Sequence, residues 1–330
     1  MPKIKVITET DLRELVPLDL NIVNCIEQGF VALASGKVVM PPILSMGLHD
    51  KNGEVDVKTA YIPDFDNFAI KMSPGFFDNP KIGLPSTSGL MVLFSSTTGV
   101  LESLLLDNGY LTDIRTAAAG AVAARHLAPN NAETACVIGS GNQASLQLKA
   151  LQLVRPIKSA KIWGRDVKKA RKLAQTLSNE LKIEVLQTED ISAAVLESDI
   201  VITSTPSSKP LVMPQWLKPG KHITAMGSDQ DHKCELHPEC LVRADCYVPD
   251  YQPQTEVLGE LRSAIQAGII KSTKKFSDLG TIVSGKKSGR LKPEDITIVD
   301  LTGTGMQDTA IATFARKQAE KKAIGTEINC

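Results

Sequence analysis

Apolar and polar positions along the first third of the chain follow two different periods. Residues 1–10 predict a strand leading into a helix capped near Thr10 or Asp11, and residues 20–36 predict a helix that ends at Gly36. Three later stretches alternate with a period of two and carry turn signals: VDVKTAYIP, FAIKMSPG and GLMVLFSSTTGVLESLLLD. They predict an antiparallel meander, with SSTTG as a hairpin turn. An alanine-rich helix is predicted next, over residues 111–129.

From residue 133 onward, apolar runs alternate with helical segments. TACVIGSG predicts a buried strand that runs into glycines, and NQASLQLKALQLV predicts a helix behind it; the alternation continues through SAKIWGRD, IVITSTPS, KHITAMGSD and ITIVDLTG. Such alternation is typical of a parallel sheet with helical crossovers. The predicted fold class is α/β: a Rossmann-type doubly wound parallel sheet over residues 131–305, and an α+β domain over residues 1–130. The last helix, within 306–330, is expected to return to that α+β domain.

Composition and charge exclude several classes of protein. The chain has 330 residues, with 37 Lys and Arg against 37 Asp and Glu, so the formal net charge is zero and a nucleic-acid partner is not expected. No apolar run reaches the roughly 18 residues of a membrane-spanning helix. The N-terminus MPKIKVITETDL has no apolar core of a secretory signal, so the expected location is the cytoplasm.

Six cysteines are expected to be free thiols. Three of them fall with His232 and His237 in the stretch DHKCELHPECLVRADC, and zinc binding is the alternative reading of that cluster. Because the stretch contains no C-x2-C pair and its spacings fit no common zinc site, no metal is expected.

A glycine turn after the first strand of the alternating region predicts dinucleotide binding. Gly139-Ser140-Gly141-Asn142-Gln143-Ala144 has the form G-x-G-x-x-A, follows an apolar strand and opens a helix. Gly139 permits the tight turn, Gly141 lets the backbone approach the pyrophosphate, and Ala144 permits close helix–strand packing. The phosphates are then expected at the start of the helix. The alternative is an ordinary strand–turn–helix.

The end of the second strand bears on the choice between NAD and NADP. The strand tip is Gly164, followed by Arg165 and Asp166, where an NAD site usually places an acid. A guanidinium pairs well with a 2′-phosphate, so NADP(H) is favoured over NAD(H). Two alternatives stay open: Asp166 binding the ribose of NAD, and Arg165 as a solvated surface charge.

The chain resembles the ornithine cyclodeaminase/mu-crystallin family over nearly its whole length. The resemblance is carried by FAIKMSPGFFDNP, LLLDNGYLTDIRTAAAGAVAARHLA, CVIGSGNQA, TSTPSSKPLV and ITAMGSDQDHKCEL. Members include ornithine and lysine cyclodeaminases, an alanine dehydrogenase, imino-acid reductases and mu-crystallin. The stretches LLLDNGYLTDIRTAAAGAVAARHLAP and LTGTGMQDTAIA are most similar to the ectoine-utilisation and imino-acid reductase branches. The resemblance implies that residues 1–130 bind substrate and form a homodimer.

The resemblance also implies a pair of cations that bind a substrate carboxylate. Lys71 matches the family's substrate lysine and Arg115 its carboxylate-binding arginine. Lys71 lies in an apolar strand and Arg115 in an alanine-rich helix, where a charge is unusual unless it is paired. The alternative is a structural salt bridge of Arg115 with Asp113 or Asp107.

Other site residues follow from the same resemblance. Asp229, after the strand KHITAMGS, matches the catalytic aspartate, which favours an iminium ion and relays its proton. Thr87 falls where members place a polar residue facing the substrate, or it is simply a turn residue. A further family arginine is absent, because the nearest positions hold Ile43 and Leu44. Glu235 is expected to support the loop after Asp229, and the expected cofactor contacts are Thr116, Ser204, Thr205, Gly303 and Gly305.

The expected activity is NAD(P)H-dependent reduction of a small α-imino acid to an L-amino acid. Δ1-Pyrroline-2-carboxylate is the first substrate and iminosuccinate a close rival. Two alternatives are kept: a cyclodeaminase that uses NAD⁺ to convert ornithine to proline and ammonia, and a ligand-binding protein similar to mu-crystallin.

Overall fold

A computed structural model describes residues 3–329, which fall into two compact units. One unit holds the described residues up to Arg115 and those from Thr304 onward, and the other holds Thr116–Gly303. The chain therefore crosses between the units inside the alanine-rich helix and again at residues 303/304. The change of pattern near residue 130 marks the end of that helix and lies beyond the first crossing.

Strands and helices alternate differently in the two units. Within residues 3–329 the strands are β1 (Lys3–Thr8), β2 (Leu44–Leu48), β3 (Gly53–Ala60), β4 (Asn67–Phe76), β5 (Leu90–Ser95), β6 (Leu101–Leu106), β7 (Thr134–Ile138), β8 (Ser159–Trp163), β9 (Glu184–Thr188), β10 (Ile200–Thr203), β11 (His222–Ala225), β12 (Cys246–Pro249), β13 (Thr297–Asp300) and β14 (Thr326–Asn329). The α-helices are α1 (Glu9–Leu15), α2 (Leu20–Leu33), α3 (Tyr110–Leu127), α4 (Asn142–Gln152), α5 (Val167–Leu181), α6 (Ile191–Glu197), α7 (Cys240–Arg243), α8 (Gln252–Thr255), α9 (Glu260–Gln266), α10 (Leu279–Val283) and α11 (Gly305–Lys322). Short 3-10 helices lie at His49–Lys51, Asn79–Ile82 and Pro214–Trp216.

The first unit is built on a mixed seven-stranded sheet of order β14-β1-β6-β5-β4-β3-β2. Strands β2 to β6 pair antiparallel in sequence order, which confirms the predicted meander. SSTTG closes the β5–β6 hairpin, where Gly99 adopts a φ of +68°. The first helix is capped by Thr8 rather than by Thr10 or Asp11, because Asp11 is the reciprocal partner of a capping box that Thr8 opens.

Helix α11 packs on one face of this sheet, against β3 and β4, and also against α2. Two glycines permit the close approach. A Cβ on Gly305 would lie 2.2 Å from the Thr59 carbonyl oxygen, and a Cβ on Gly29 would lie 2.3 Å from Met306 Sδ. Thr309 fixes the register of the helix, because its hydroxyl donates to the Ala60 carbonyl at 2.8 Å and accepts from the Ala69 amide at 3.1 Å. The start of α11 is thereby held against the middle of the sheet.

The second unit is a parallel seven-stranded sheet of order β12-β13-β11-β10-β7-β8-β9. Strands β10, β11 and β13 are buried along their whole length and β7 at every residue but its first, as strands covered on both faces are. From β7 the chain builds outward to β9 and then returns to build outward from β10, so β7 and β10 are neighbours at the point where strand order reverses. This is the predicted Rossmann-type topology, whose ligands bind at the carboxyl ends of the strands beside that reversal.

None of the helices between residues 3 and 329 is long and apolar enough to cross a membrane.

Candidate active site

The glycine turn after β7 has the geometry of a dinucleotide-binding turn. Gly139 has a φ of +139°, and its amide donates to the Trp163 carbonyl at 2.8 Å. A Cβ at this position would lie 2.6 Å from Ser204 Oγ and 3.0 Å from the Ser204 carbonyl oxygen. Glycine is therefore required at this position by both its backbone conformation and its contact with the neighbouring strand end.

The next glycine leaves space where a phosphate would bind. Gly141 is the N-cap of α4 and offers no side-chain cap, and a Cβ built on it would meet nothing within 4 Å. Ala144, one turn further on, is fully buried. The positive end of an 11-residue helix therefore faces open space beside a glycine backbone, which suits an anionic group.

Two residues after β10 lie beside this turn and differ in their contacts. Ser204 Oγ is buried and has no hydrogen-bond partner among the described residues. A buried hydroxyl is normally satisfied, so this one fits a bound group next to Gly139. The Thr205 hydroxyl instead donates to Glu235 Oε1 at 2.7 Å. Its predicted role as a cofactor contact therefore competes with a structural hydrogen bond.

The tip of β8 carries the residues that the sequence predicts to distinguish the two dinucleotides. A Cβ on Gly164 would lie 2.8 Å from Ser140 Oγ, so the turn leaves no room for a side chain there. Arg165 is exposed. Asp166 is the N-cap of α5, and its Oδ1 accepts from the Lys169 amide at 3.0 Å. That bond uses one oxygen of the carboxylate that the sequence offered as an alternative ribose ligand.

A buried ion triad joins Lys71, Arg115 and Asp308 in the first unit. Lys71 Nζ lies 2.9 Å from Asp308 Oδ2, and Arg115 Nε donates to Asp308 Oδ1 at 3.0 Å. Arg115 Nη1 also donates to Gln307 Oε1 at 3.0 Å. All of these side chains are buried. The structure thus brings together both predicted cations and pairs Arg115 with Asp308, where the sequence had offered Asp113 or Asp107 as a structural partner.

Local structure explains why the triad forms. Lys71 lies on the same face of β4 as Ala69, whose amide donates to Thr309 of α11, and it is paired in register with Lys58 of β3. Asp308 lies in the first turn of α11, where the helix dipole favours an anion. Because α11 is held close to β3, its first turn reaches the cations on the sheet.

Burial and charge act in opposite directions on these groups. Burial lowers the pKa of Lys71 to about 7, although the neighbouring Asp308 carboxylate opposes that shift. Burial by itself raises the pKa of Asp308, but the charges of Lys71, Arg115 and Lys58 outweigh it and hold the pKa below its usual value. The acid is therefore ionised, and the lysine is the member of the triad that exchanges its proton near neutral pH.

Asp229 follows β11 in the second unit and is half-exposed. Its Oδ1 lies 2.6 Å from Lys233 Nζ. Its loop is fixed by Glu235, whose Oε2 accepts from the Gly227 amide at 2.7 Å and from the Thr203 hydroxyl at 2.6 Å. Glu235 Oε1 also accepts from the Thr205 amide at 2.6 Å. One buried carboxylate therefore ties together the chain segments that follow β10 and β11. Burial raises the pKa of Glu235 to about 6, although its donors oppose the shift.

The remaining predicted residues have structural contacts of their own. Gly303 has a φ of +76°, and its amide donates to Asp250 Oδ2 at 2.9 Å. The Thr116 carbonyl accepts from Gln147 Nε2 at 2.9 Å. Thr87 is exposed and forms an isolated antiparallel bridge with Gly75. Gly305 is required by its contact with Thr59, so its approach to a nicotinamide stays a prediction. Within residues 3–329 no three His, Cys, Asp or Glu side chains are grouped to hold a metal ion.

Sequence reasoning missed Asp308 and Gln307. Both are fully buried, although they are polar. The available signal was an acid and an amide flanked by apolar residues in the helical stretch MQDTAIA. A buried acid in such a helix indicates a cation on a facing element.

The parallel sheet, its strand order and the turn at Gly139 together define a Rossmann-type dinucleotide-binding fold. The chain belongs to the ornithine cyclodeaminase/mu-crystallin family, whose sequence profile matches residues 3–323. A relative from Sinorhizobium fredii, named an uncharacterized cyclodeaminase, is 55% identical over 327 residues, which cover 99% of each chain.

Two solved structures are similar over nearly their full length. An archaeal alanine dehydrogenase dimer with bound NAD is 31% identical, with a TM-score of 0.92 over 99% of each chain. The Δ1-pyrroline-2-carboxylate reductase of Thermococcus litoralis, in complex with NADH and L-proline, is 29% identical. Its TM-score is 0.93, over 98% of this chain and 100% of that one.

Proposed function

We propose that this protein is an NAD(P)H-dependent reductase that converts a small α-imino acid to an L-amino acid, with Δ1-pyrroline-2-carboxylate as the first substrate and L-proline as its product. The observation that carries the proposal is the buried triad of Lys71, Arg115 and Asp308. While Lys71 is protonated, two buried cations that share one carboxylate keep a net positive charge. A substrate carboxylate is the natural partner for that charge. The similar reductase that contains NADH and L-proline supports the same choice.

Lys71 and Arg115 are proposed to bind the substrate carboxylate. The Asp308 carboxylate accepts a hydrogen bond from Arg115 Nε. The Nη2 group of the same guanidinium is proposed to bind the carboxylate of the substrate. A guanidinium presents its donors as a planar fork, so a partner fixed on one edge orients the other edge. Lys71 contributes an ammonium group, and a substrate carboxylate bound beside it would favour that protonated form.

Asp229 is proposed to act at the imine nitrogen. An imine accepts a hydride at carbon best when its nitrogen is protonated, and a carboxylate nearby favours that iminium form. Asp229 is held by Lys233 and by a loop that Glu235 fixes from within, so its carboxylate has a defined position. Glu235 is a positioning residue in this scheme.

The cofactor is proposed to lie along the glycine turn, with its pyrophosphate at the start of α4. Gly139, Gly141 and the unsatisfied Ser204 hydroxyl fit a dinucleotide, and Arg165 beside Gly164 favours the 2′-phosphate of NADP(H). When bound, a reduced nicotinamide supplies the hydride that adds to the imine carbon. The electron pair of the C=N bond then stays on nitrogen, and the product is the amine.

Domain roles and assembly are proposed on the same basis. Residues 1–130 with 306–330 are proposed to bind substrate and to form a homodimer, and residues 131–305 to bind the dinucleotide. The similar archaeal alanine dehydrogenase is a dimer, which supports this assembly.

A spectrophotometric screen tests the proposed function. Δ1-Pyrroline-2-carboxylate is offered with NADPH and with NADH, and oxidation of the cofactor is followed at 340 nm. We expect turnover that depends on the imino acid. Absence of cofactor oxidation with pyrroline-2-carboxylate, its six-membered homologue and iminosuccinate would overturn the proposal.

A cyclodeaminase is the second candidate, because the relative that is 55% identical carries that name. Such an enzyme oxidises ornithine with NAD⁺, closes the ring, releases ammonia and returns the same hydride. Ammonia release from L-ornithine without net change at 340 nm would favour it over the reductase.

A further inference from the structure

An ion pair in the second unit holds the carboxylate that we propose to act at the imine nitrogen. Lys233 Nζ donates to Asp229 Oδ1 at 2.6 Å. The side chain of Lys233 is 14% exposed and that of Asp229 is 45% exposed, so the ammonium group is the more enclosed member of the pair. The pair therefore joins a shielded proton donor to a carboxylate that reaches solvent.

The backbone of Lys233 is fixed at both its amide and its carbonyl. The amide donates to the Gln230 carbonyl at 3.2 Å, which closes the turn after Asp229. The carbonyl accepts from Ser228 Oγ at 2.8 Å and also from Arg262 Nη2. Both of these donor residues are buried. Because the backbone is held on both sides, the ammonium group of Lys233 is kept within reach of Asp229.

Reduction of an imine needs a proton as well as a hydride. The hydride adds to carbon, the electron pair of the C=N π bond moves onto nitrogen, and a proton joins that nitrogen to give the amine. An ordinary carboxyl group has lost its proton at neutral pH, whereas an ordinary lysine still holds one. As the imine becomes an amine, the affinity of its nitrogen for a proton rises toward that of lysine. An ammonium group is therefore a proton source suited to this step.

From this geometry we infer that Lys233 supplies, through Asp229, the proton that the imine nitrogen takes up. The proton moves from Lys233 Nζ to Asp229 Oδ1, and that carboxyl group passes a proton to nitrogen. Asp229 is left as a carboxylate, and Lys233 is left neutral until it regains a proton from solvent. While Lys233 is neutral, no ammonium charge compensates the Asp229 carboxylate, so its attraction for the iminium ion is greatest. Lys233 is thus a positioning residue that acts through Asp229.

The inference rests on the proposed function, and the pH profiles of two Lys233 variants test it. Lys233→Met removes the proton source, and Lys233→Arg keeps a cation beside Asp229 that does not release a proton. The kcat for Δ1-pyrroline-2-carboxylate is measured from pH 6 to 9 with saturating substrate and NADPH. We expect a nearly constant kcat for the wild type up to pH 8. In both variants kcat should fall toward about tenfold per pH unit, because their proton must come from solvent.

A purely structural role of Lys233 predicts a different pattern. Lys233→Met would then lower kcat by the same factor at every pH, and Lys233→Arg would restore it. Lys158→Met removes an ammonium group from an exposed pair with Glu133 and should leave the profile unchanged. The Kd for NADPH, measured by fluorescence, should stay within about twofold in all three variants. Thermal melting shows which variants are folded, and Lys233→Arg decides the question if Lys233→Met is not.

A second measurement follows the ammonium group without turnover. Side-chain Nζ resonances are recorded by NMR on protein labelled with ¹⁵N-lysine, and the Lys233 resonance is identified by its absence in Lys233→Arg. We expect this resonance to shift in Asp229→Asn, which removes the ionic partner, and to stay unchanged in Asp231→Asn, which alters an exposed neighbour. An unchanged Lys233 resonance in Asp229→Asn would overturn the inference.

The outcomes separate the inference from the proposed function. If imines are reduced and the pH profiles of the wild type and both Lys233 variants are parallel, Lys233 does not supply the proton, and the reductase assignment stands. Full recovery of the wild-type profile in Lys233→Arg has the same meaning. If the wild type reduces no imine, the proposed function fails, and the inference fails with it.

Discussion

Lys71 Nζ and Asp308 Oδ2 lie 2.9 Å apart, with side chains that are 3% and 0% exposed. The two residues are separated by most of the chain, yet they form the centre of the only site in the first unit for which we propose chemistry. An ammonium group buried in this way has two protonation states of similar energy near neutral pH, because burial disfavours the charge and Asp308 favours it. Binding of an anion at this place is therefore coupled to pH.

Carboxylate binding should weaken as pH rises through about 7. Burial lowers the pKa of Lys71 to about 7, so the ammonium form is present below that pH and is lost above it. The protonated form is the one that attracts a carboxylate, so affinity falls with increasing pH. We expect the Kd of pyrrole-2-carboxylate, an analogue without an imine, to increase toward a tenfold change per pH unit between pH 7 and 9. Calorimetry with NADP⁺ bound measures it.

Lys71→Met provides the control for that experiment. It should bind the analogue weakly, with a flat dependence on pH over the same interval. A wild-type Kd that stays constant from pH 6 to 9 would show that Lys71 does not titrate in contact with the ligand.

Replacement of Asp229 should affect turnover more than cofactor binding. Asp229→Asn removes the anion that favours the iminium form, so kcat should fall by at least ~100-fold, the lower end of acid–base contributions. The Kd for NADPH, measured by fluorescence, should stay within about twofold. The neighbouring Asp231 is exposed, and Asp231→Asn is the matched control with unchanged kcat. Full activity of Asp229→Asn would exclude this residue from the reaction.

Arg165 is expected to select the dinucleotide. The Arg165→Ala variant loses the proposed partner of the 2′-phosphate, so KM for NADPH should increase at least about tenfold and KM for NADH should change little. Arg171→Ala, an exposed arginine on α5, serves as control. Equal changes for both cofactors would show that Arg165 does not contact the 2′-phosphate.

Glu235 is expected to link stability to turnover. The Glu235→Gln variant replaces an acceptor oxygen with an NH₂ group, so the amide of either Gly227 or Thr205 loses its buried partner. The free energy of unfolding should fall by about 1–3 kcal/mol in urea titrations. Because the same bonds hold the loop of Asp229, kcat should fall. An unchanged free energy of unfolding would show that the amides of Gly227 and Thr205 bind other acceptors in the variant.

Local sequence signals predicted the second unit well. Its central strands are short, largely buried apolar runs separated by helices, and the turn at Gly139 follows directly from residues that are adjacent in sequence. The same holds for the β5–β6 hairpin, whose SSTTG turn is local. The capping residue of α1 was misplaced by two or three positions, because either Thr8 or the later Thr10 and Asp11 satisfies the same pattern.

The ion triad was only half predictable. Lys71 and Arg115 were identified as cations in apolar surroundings, but their partner Asp308 is 193 residues from Arg115 along the chain. That contact depends on helix α11 packing on β3 and β4 through Gly305 and Thr309, which no local pattern encodes. The sequence also does not indicate that Glu235 accepts hydrogen bonds from residues at the ends of both β10 and β11. That arrangement depends on which parallel strands are neighbours in the sheet.

Transfer of a labelled hydride tests the reductase assignment most directly. NADPH that carries deuterium at both C4 positions is incubated with Δ1-pyrroline-2-carboxylate, and the product is examined by NMR and mass spectrometry. We predict L-proline with one deuterium at C2, formed in a one-to-one ratio with NADP⁺. Two results would contradict the reductase assignment. One is proline that forms only from ornithine and carries no deuterium from the added cofactor, and the other is the absence of any labelled proline.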